Sequence, residues 1–548
     1  MNKKRLIYVC FILLFYLTKS FLLGQDVNFP KPDRVVMLPM RDGKKLPTAL
    51  YFPSTVSGEK LPCILLRNPS GPSTPFALAY VPLKERGYVV AIQTTRSGLD
   101  PEGKTFPFLS DGWGDLQDGY DTVECLAKCD WSNGKVGTIG TSAMGITQLL
   151  MAPSAPPSLR CQYVRFGLAS MYHHATYPDG QLLKNQAERW LGYCARDPGV
   201  HSYVCTHPYY DGFWKQLNTM EVAHQVNVPG VLYGGWFDTF IQGTIDAFVS
   251  RQERGNVGAK GKQKLIIGPW HHYWPLTLDL GDFQVPPEGI APPIDISPER
   301  WFDFHLKDIN NTKDWPTVLY YVMGPFDGTA SSGNRWKSAD SWPPAAKETP
   351  FYFTQAKKLE KAEPVNLGAM NYCYDPNNPV PTIGGRNLFL ESGPKDQREI
   401  EKREDVLVFT SAPLEKDVEV TGRLKAHIFL TSSAPNTDVS VRLSDVYPDG
   451  KSILIVDGHY RTGIKSKDEA LDPTKPLKIE VDLWSTSQVF AKGHSIRVVI
   501  TSSNYPRFEK NPNIGLLGEY SGNSTVACNT IYMGSGCPSC IILPIVEK

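Results

Sequence analysis

The sequence has no excess of charge of either sign and, beyond its N-terminus, no long hydrophobic run. Its 548 residues include 57 Lys and Arg against 56 Asp and Glu, a net charge of +1. Without a basic excess there is no electrostatic indication of a nucleic-acid partner. Without an apolar run of about 20 residues there is no integral membrane domain beyond the N-terminus. With these classes disfavoured, we expect a globular protein. The composition, with 41% hydrophobic and 21% charged residues, also indicates one.

Motifs for a metal or cofactor are also scarce. Cys537 and Cys540 form a CxxC pair without a second pair or a nearby histidine, and no HExxH motif accompanies His173 and His174. We therefore predict no metal and no cofactor. Ten of the eleven cysteines follow residue 24, an even number that permits disulfides in an exported chain. Neither their pairing nor an oligomeric state follows from the sequence.

The N-terminal segment resembles a secretion signal. Three basic residues, 3–5, precede an apolar stretch from Leu6 to Leu17, which is short for a bilayer span. We predict a signal peptide over residues 1–24 and a secreted or periplasmic protein. An uncleaved membrane anchor is the alternative.

The remaining chain divides into three regions by its hydrophobic patterns. Residues 25–167 and 227–344 alternate short β-rich runs with helical spacing, which predicts βαβ units and a parallel sheet. Residues 168–226, rich in aromatics and histidine, predict a helical cap inserted over that sheet. Residues 345–548 contain alternating β-branched runs between Gly, Pro and Asp turns, which predict an all-β jelly roll. The fold class is therefore α/β with a C-terminal all-β domain.

The predicted elements can be given as ranges. In the first region we predict strands at 62–66, 88–92, 135–139, 228–233 and 264–267, and helices at 120–127 and 241–252. In the last region we predict strands at 418–431, 438–446, 452–456, 478–483 and 494–502.

Ser142 occupies a sequence position typical of a nucleophile elbow. A predicted strand leads through Gly140 to Ser142 and then into helical spacing. In such an elbow the serine sits on a sharp turn, and small neighbours let strand and helix approach each other. Met144 replaces the usual second glycine, and Gly145 follows one residue later. An ordinary Gly-Thr-Ser turn is the alternative.

An acid and a histidine follow in the chain order of α/β-hydrolases, each after a predicted strand. Asp238 comes after one strand, and the pair His271-His272 ends the next. Taken singly, Asp238 could cap a helix, and the histidines could be loop or core residues. Three candidates in this order at three strand ends favour a Ser-His-Asp triad.

Several longer motifs lie along the chain. They begin at Arg67 (RNP), Asp130 (DWSNGKVG), Gly235 (GWFD), Gly268 (GPWHH), Arg300 (RWFDFHLK), Tyr374 (YDPNNPVPTIGG) and Ser502 (SSNYPRF). In this order they resemble the CocE/NonD hydrolases, a family that includes cocaine esterase, glutaryl-cephalosporanate acylases, α-amino acid ester hydrolases and X-prolyl dipeptidyl-peptidases. The resemblance covers nearly the whole chain after residue 24 and implies an α/β-hydrolase core, a helical cap and a C-terminal jelly roll.

The resemblance implies a role for each matched position. Ser142 corresponds to the nucleophile, Asp238 to the orienting acid and His272 to the base. The Ala143 N–H corresponds to one oxyanion donor. Members resembling cocaine esterase supply the other donor from a tyrosine after the RNP motif, where this chain has Ser70. Ser70 is the candidate at this position, but its side chain is much shorter than that of tyrosine. Either another donor replaces the tyrosine, such as a backbone N–H of the 70–72 turn, or activity is low.

The residues after the acid narrow the substrate class. α-Amino acid ester hydrolases have carboxylates there, whereas Asp238 is followed by Thr239-Phe240-Ile241, which disfavours binding of a free α-amine. Phe240, Trp190 and Trp214 are candidates for an apolar pocket, with core packing as the alternative. We predict a serine hydrolase acting on a small ester or amide, or on a peptide. The alternatives are an X-prolyl dipeptidyl-peptidase or acylase, and a silent protein that binds a glycan or another ligand.

Overall fold

The computed structural model describes residues 30–54, 58–96, 106–463, 471–515 and 522–547. The predicted signal peptide lies outside these residues. Across the described ranges, no helix combines the length and hydrophobicity that crossing a bilayer requires.

The first part of the chain is built on a large mixed sheet. Its strands, with one separate ribbon (β9 and β10), are β1 (Arg34–Pro39), β2 (Lys45–Tyr51), β3 (Leu61–Asn68), β4 (Val89–Thr94), β5 (Ser132–Thr141), β6 (Leu159–Arg165), β7 (Gly230–Phe237), β8 (Gln263–His271), β9 (Asp279–Leu280), β10 (Phe283–Gln284), β11 (Val318–Val322) and β12 (Arg335–Ala339). The strand order is β1-β2-β4-β3-β5-β6-β7-β8-β11-β12. From β4 to β11 neighbouring strands are parallel, so the carboxyl ends of β5, β7 and β8 meet at one edge.

Helices cover both faces of this sheet. The α-helices are α1 (Pro75–Leu78), α2 (Asp118–Ala127), α3 (Ala143–Met151), α4 (Lys184–Gln186), α5 (Gly192–Ala195), α6 (Gly199–Cys205), α7 (Gly212–Lys215), α8 (Ile241–Arg254), α9 (Pro298–Lys307) and α10 (Arg398–Glu401). On β5, Thr138 donates a hydrogen bond to Gln148 of α3 (2.7 Å), while its neighbour Gly137 faces Phe302 of α9. Because successive strand residues point to opposite faces, α3 and α9 lie on opposite sides of the sheet.

Single turns connect these elements. The 3₁₀ turns are Val81–Arg86, Leu109–Asp111, Ala152–Ser154, Pro178–Gly180, Ala223–Gln225 and Pro287–Gly289, and the π-helical turns are Tyr172–Thr176 and Ala187–Leu191.

A cap of short helices separates β6 from β7. It contains α4 to α7 and both π-helical turns, and it encloses an apolar cluster with Trp214 and Leu191 among its buried members. Phe106, which precedes α2, and Leu388 of the C-terminal region belong to the same cluster. The apolar cluster of the cap therefore contains residues from three separate parts of the chain.

The C-terminal region is a sandwich of two antiparallel sheets. Its strands are β13 (Lys347–Phe353), β14 (Leu359–Glu360), β15 (Gly368–Tyr374), β16 (Leu407–Thr410), β17 (Val418–Ser432), β18 (Asp438–Val446), β19 (Ser452–Arg461), β20 (Leu477–Phe490), β21 (Ser495–Thr501), β22 (Ala527–Met533) and β23 (Cys540–Ile545). One sheet runs β14-β13-β23-β17-β22-β15, with β20 pairing β17, and the other runs β16-β21-β18-β19. Alternate residues of both sheets fill a shared core, for example Val420 and Val441.

One disulfide lies in this region. Cys373 on β15 and Cys528 on β22 are directly opposite each other and are bonded. The other cysteines of the described residues are free thiols, including Cys537 and Cys540 of the CxxC pair. Within the described residues, no three His, Cys, Asp or Glu side chains form a group that could hold a metal.

Candidate active site

Ser142 lies on a strained turn between β5 and α3. Its backbone has φ 61° and ψ −124°, values that a residue with a Cβ seldom adopts. Its N–H donates to the carbonyl of Arg165 on β6 at 2.9 Å, which fixes the turn against the neighbouring strand. Strain of this kind is typical of functional sites, and here it belongs to a serine at the carboxyl edge of the sheet.

Two glycines permit this turn, but their roles differ from the expected pattern. A Cβ on Gly140 would lie 2.4 Å from Cβ of Met144, and one on Gly145 would lie 2.9 Å from the Arg165 carbonyl oxygen. Both contacts are too close for a side chain. Gly140 therefore makes room for the first turn of α3, and Gly145 lets α3 approach β6. Met144 is tolerated because the close contact with β6 occurs one residue later.

The structure brings Ser142, His272 and Asp238 together. Nε2 of His272 is 2.9 Å from Oγ of Ser142, and Nδ1 is 2.6 Å from Oδ1 of Asp238. Asp238 directly follows β7 and is 0% exposed, and His272 directly follows β8 and is 8% exposed. Because a carboxylate only accepts hydrogen bonds, Nδ1 must donate to it. The neutral ring then presents a bare Nε2 that accepts the Ser142 hydroxyl proton.

Two aromatic rings hold the His272 imidazole in place. The Phe240 ring meets it edge-on at 5.4 Å between centroids, and the Phe166 ring lies at 5.7 Å. Both phenylalanines are fully buried. Phe166 follows β6, a strand that the sequence analysis did not predict, so this support was missed.

His271 is separate from the site's hydrogen-bond chain. Its Nδ1 accepts the N–H of Tyr273 at 2.9 Å, a bond within its own turn. Burial lowers the pKa of His271 below its ordinary value, so the ring is neutral at neutral pH. Of the two adjacent histidines, His272 is the one in contact with Ser142.

The backbone N–H of Ala143 is one candidate oxyanion donor. Ala143 begins α3, and the first N–H groups of a helix have no acceptor within the helix. Its N–H is next to the Ser142 hydroxyl in the chain and lies at the positive end of the helix dipole. Both properties suit a donor to negative charge that develops beside Ser142.

The backbone of the 70–72 turn does not offer a second donor. The Ser70 N–H already donates to Oδ1 of Asn68 at 3.1 Å, and the Gly71 N–H donates to the Asn68 carbonyl at 3.2 Å. Pro72 has no N–H. The expectation that a backbone N–H of this turn replaces the missing tyrosine is therefore wrong, because both groups stabilise the turn itself. The side-chain hydroxyl of Ser70 is the remaining candidate donor of this turn.

Cap residues lie beside the site with different roles. Trp190 lies 5.3 Å from Phe240 between ring centroids and stacks on Phe108 at 5.7 Å, so it forms the layer behind the His272 ring. Trp214 does not line a pocket as predicted. It is 0% exposed, and its indole N–H donates to the carbonyl of His207 at 2.7 Å, so it belongs to the core of the cap. Phe240 is also 0% exposed and packs against His272, so it too does not line an open pocket as predicted.

The β-sandwich region also reaches the site. The hydroxyl of Tyr273, next to His272, donates to the carbonyl of Leu388 at 2.7 Å. Leu388 packs in the same apolar cluster as Trp190 and Phe240, and Ala143 packs against that cluster. The wall next to the nucleophile is therefore apolar. No sequence motif identified Leu388, because its place depends on how the two regions pack.

The amino-acid sequence matches two family models in tandem. The model described as X-Pro dipeptidyl-peptidase (S15 family) matches residues 42–195 and 183–274. The model described as X-Pro dipeptidyl-peptidase C-terminal non-catalytic domain matches residues 310–542. The second match falls mainly on the β-sandwich, and the first covers all three candidate residues of the triad.

Individual proteins are similar over nearly the full length. Cocaine esterase of Rhodococcus sp. (strain MB1 Bresler) is 29% identical over 94% of this chain and 98% of its own. The solved structure of an α-amino acid ester hydrolase superposes with a TM-score of 0.79 at 23% identity, covering 95% of this chain and 98% of its own. A CocE/NonD family hydrolase from Staphylococcus aureus gives 0.70 at 20% identity, covering 94% and 93%. These likenesses confirm the predicted fold class.

Proposed function

The chain belongs to the CocE/NonD family of serine hydrolases, and on that premise we propose that Ser142 hydrolyses esters through an acyl-enzyme intermediate. The observation that carries the proposal is the continuous chain of contacts from Ser142 through His272 to Asp238, at 2.9 Å and 2.6 Å. Both distances are those of hydrogen bonds suited to proton transfer.

In the acylation half, Ser142 Oγ attacks the ester carbonyl carbon while its proton moves to Nε2 of His272. Asp238 stabilises the resulting imidazolium through Nδ1–H. The carbonyl oxygen becomes an oxyanion that the Ala143 N–H and the Ser70 hydroxyl would stabilise. Collapse breaks the bond to the alcohol, which takes the proton from His272 and leaves an acyl-Ser142 ester.

The deacylation half repeats these steps with water. Nε2 of His272 takes a proton from water, and the hydroxide attacks the acyl carbon. A second tetrahedral intermediate then expels Ser142 Oγ, which recovers its proton from His272. The carboxylic acid leaves and the triad returns to its starting state.

The surroundings of the triad favour an uncharged, apolar substrate. Thr239, directly after Asp238, is buried, and its hydroxyl donates to Gln186. Phe240, which comes next, supports His272. Neither position offers a carboxylate to a substrate ammonium group, and the neighbouring cluster of Trp190 and Leu388 is apolar. We therefore propose a carboxylic ester with an apolar acyl or alcohol group.

A fluorophosphonate probe tests the chemistry directly. We expect it to form one covalent adduct on Ser142 of the wild-type protein, detected by mass spectrometry of the peptide that contains this residue. Ser142→Ala should abolish labelling. The matched change Ser54→Ala, at an exposed serine, should leave it intact. A folded wild-type protein that stays unlabelled would instead indicate a silent binding protein.

An X-prolyl dipeptidyl-peptidase or an acylase is the second candidate, favoured by the description of the matching family models. We expect higher kcat/KM for short p-nitrophenyl esters than for Xaa-Pro p-nitroanilides. N-acetylation of the anilide should change its slow turnover little, because no carboxylate follows Asp238 to bind a free amine. Preference for the anilide, lost on acetylation, would establish the peptidase instead.

We also propose that the protein is exported from the cytoplasm. The predicted signal peptide over residues 1–24 and the disulfide between Cys373 and Cys528 both suit a secreted or periplasmic protein, since disulfides persist in oxidising compartments. Edman sequencing of the protein recovered from its producing cells would give the mature N-terminus, which we expect near residue 25.

A further inference from the structure

Three arginines are buried around a single aspartate in the β-sandwich. Arg442 on β18 stands opposite Asp457 on β19, and Arg386 and Arg507 approach Asp457 from the loops. Arg442 is 1% exposed, and the other three side chains are also buried. Burying arginine is costly unless each guanidinium has both a counter-charge and hydrogen-bond acceptors.

Asp457 accepts side-chain hydrogen bonds from only two of the three arginines. Nη1 of Arg507 donates to its Oδ2 at 2.6 Å, and Nη2 of Arg386 donates to its Oδ1 at 3.0 Å. Within the described residues, neither Nη1 nor Nη2 of Arg442 has an acceptor. The Nε atoms of Arg386 and Arg507 are likewise buried without one.

Other nearby groups do not supply the missing negative charge. Glu401 pairs with Arg497 at 2.6 Å, and Asp405 pairs with Arg403 at 2.8 Å, so both carboxylates are already neutralised. Burial lowers the pKa of His459 to about 4, which leaves this neighbour of Asp457 uncharged at neutral pH. Asp482, another carboxylate that acts on Arg386, pairs with Arg423, so among the described residues Asp457 is the only carboxylate hydrogen-bonded to these three arginines.

We propose that this cluster binds a buried inorganic monovalent anion of chloride size, with the two Nη groups of Arg442 as its principal donors. Water could accept the free N–H bonds but would leave the excess positive charge uncompensated, whereas an anion meets both requirements. The enclosure of Arg442 and Asp457 favours a monatomic anion over a polyatomic one. The proposal is independent of the hydrolytic function.

The proposed anion site is connected along the chain to the segment that packs beside the candidate active site. Arg386 is two residues from Leu388, whose carbonyl accepts the Tyr273 hydroxyl beside His272. Arg386 also lies over the Trp484 ring at 4.6 Å and donates to the Leu483 carbonyl at 3.2 Å. An anion that neutralises this cluster would hold the segment against the sandwich, so its main effect should be on stability.

Thermal unfolding of the full chain in chloride tests the proposal. At constant ionic strength, replacing gluconate by chloride should raise Tm by a few degrees and then saturate, as expected for a ligand of the folded state. Arg442→Met, which keeps the volume and removes the charge, should lose this dependence. Arg251→Met, at a buried arginine of α8 that donates to Gln162 and to no carboxylate among the described residues, should lower Tm but keep the chloride dependence.

A bromide-soaked crystal of the wild-type protein gives a readout that needs no variant. We expect an anomalous bromide peak within hydrogen-bond distance of the Arg442 guanidinium. Water at that position, together with equal Tm in chloride and gluconate, would overturn the proposal.

Discussion

Replacing Ser142 or His272 by alanine is expected to lower kcat for an ester substrate by about 10⁶-fold each, because triad members act as one unit. Without Ser142 there is no nucleophile. Without His272 the serine hydroxyl, 2.9 Å from Nε2 in the wild type, has no base. Single-turnover and steady-state kinetics with a p-nitrophenyl ester measure both losses, and the double variant should be little worse than either single one.

His271→Ala is the matched control for His272→Ala. It removes the same side chain one residue earlier, where the ring accepts a hydrogen bond from Tyr273 of its own turn. We expect kcat within about tenfold of the wild type, since triad removal alone carries the large loss. If His271→Ala abolished turnover and His272→Ala did not, the assignment of the base would be wrong.

Asp238→Asn is expected to lower kcat by about 10⁴-fold while the protein remains folded. The carboxylate obliges Nδ1 of His272 to donate and so keeps Nε2 free to accept the serine proton. An amide can donate to Nδ1 instead, which moves the ring proton to Nε2 and blocks proton abstraction. Among the described residues Oδ2 of Asp238 has no partner, so no protein group opposes that orientation of the amide.

The structure offers a second carboxylate–histidine pair, with a buried histidine and a half-buried carboxylate, as the control. Oδ2 of Asp246 is 3.0 Å from Nε2 of His174, under the cap and without contact to Ser142. Asp246→Asn therefore makes the same chemical change outside the triad. We expect kcat to remain within about tenfold, since the loss in Asp238→Asn comes from the wrong tautomer. Equal losses in the two variants would point to a general structural effect.

The C-terminal sandwich takes part in shaping the site even though its matching family model is described as non-catalytic. Leu388 lies in the cluster beside the nucleophile, and Ser485 N–H donates to Gln242 of α8 at 2.9 Å across the boundary between the regions. The orientation of the two regions therefore determines part of the wall that a substrate would meet.

Local sequence patterns determined the strands and the turn that carry the candidate triad. The predicted strands 135–139, 228–233 and 264–267 fall within β5, β7 and β8 or overlap them, because buried β-branched runs have few alternatives to a parallel strand. The predicted strands ended too early, because glycine, tryptophan and histidine residues continue the actual strands towards the site. β6 was missed because its polar residues, Arg160 and Gln162, interrupt the apolar run.

Contacts between distant segments determined the features that local sequence patterns did not predict. The pairing of Cys373 with Cys528 depends on strands 155 residues apart, and no cysteine spacing indicates it. Trp214 is a core residue because the cap folds around it. The Ser70 N–H is not free because it donates a hydrogen bond to Asn68 within its own turn.

The sequence by itself identified Ser142, Asp238 and the pair His271-His272 as candidates for a hydrolase triad and placed them after strands, because backbone propensities and glycine placement act over a few neighbouring residues. Only the tertiary structure decided which histidine faces Ser142, which donors remain free, and that Phe166 and Leu388 border the site. Those outcomes depend on the packing of side chains from separate segments, which neighbours in the chain do not specify.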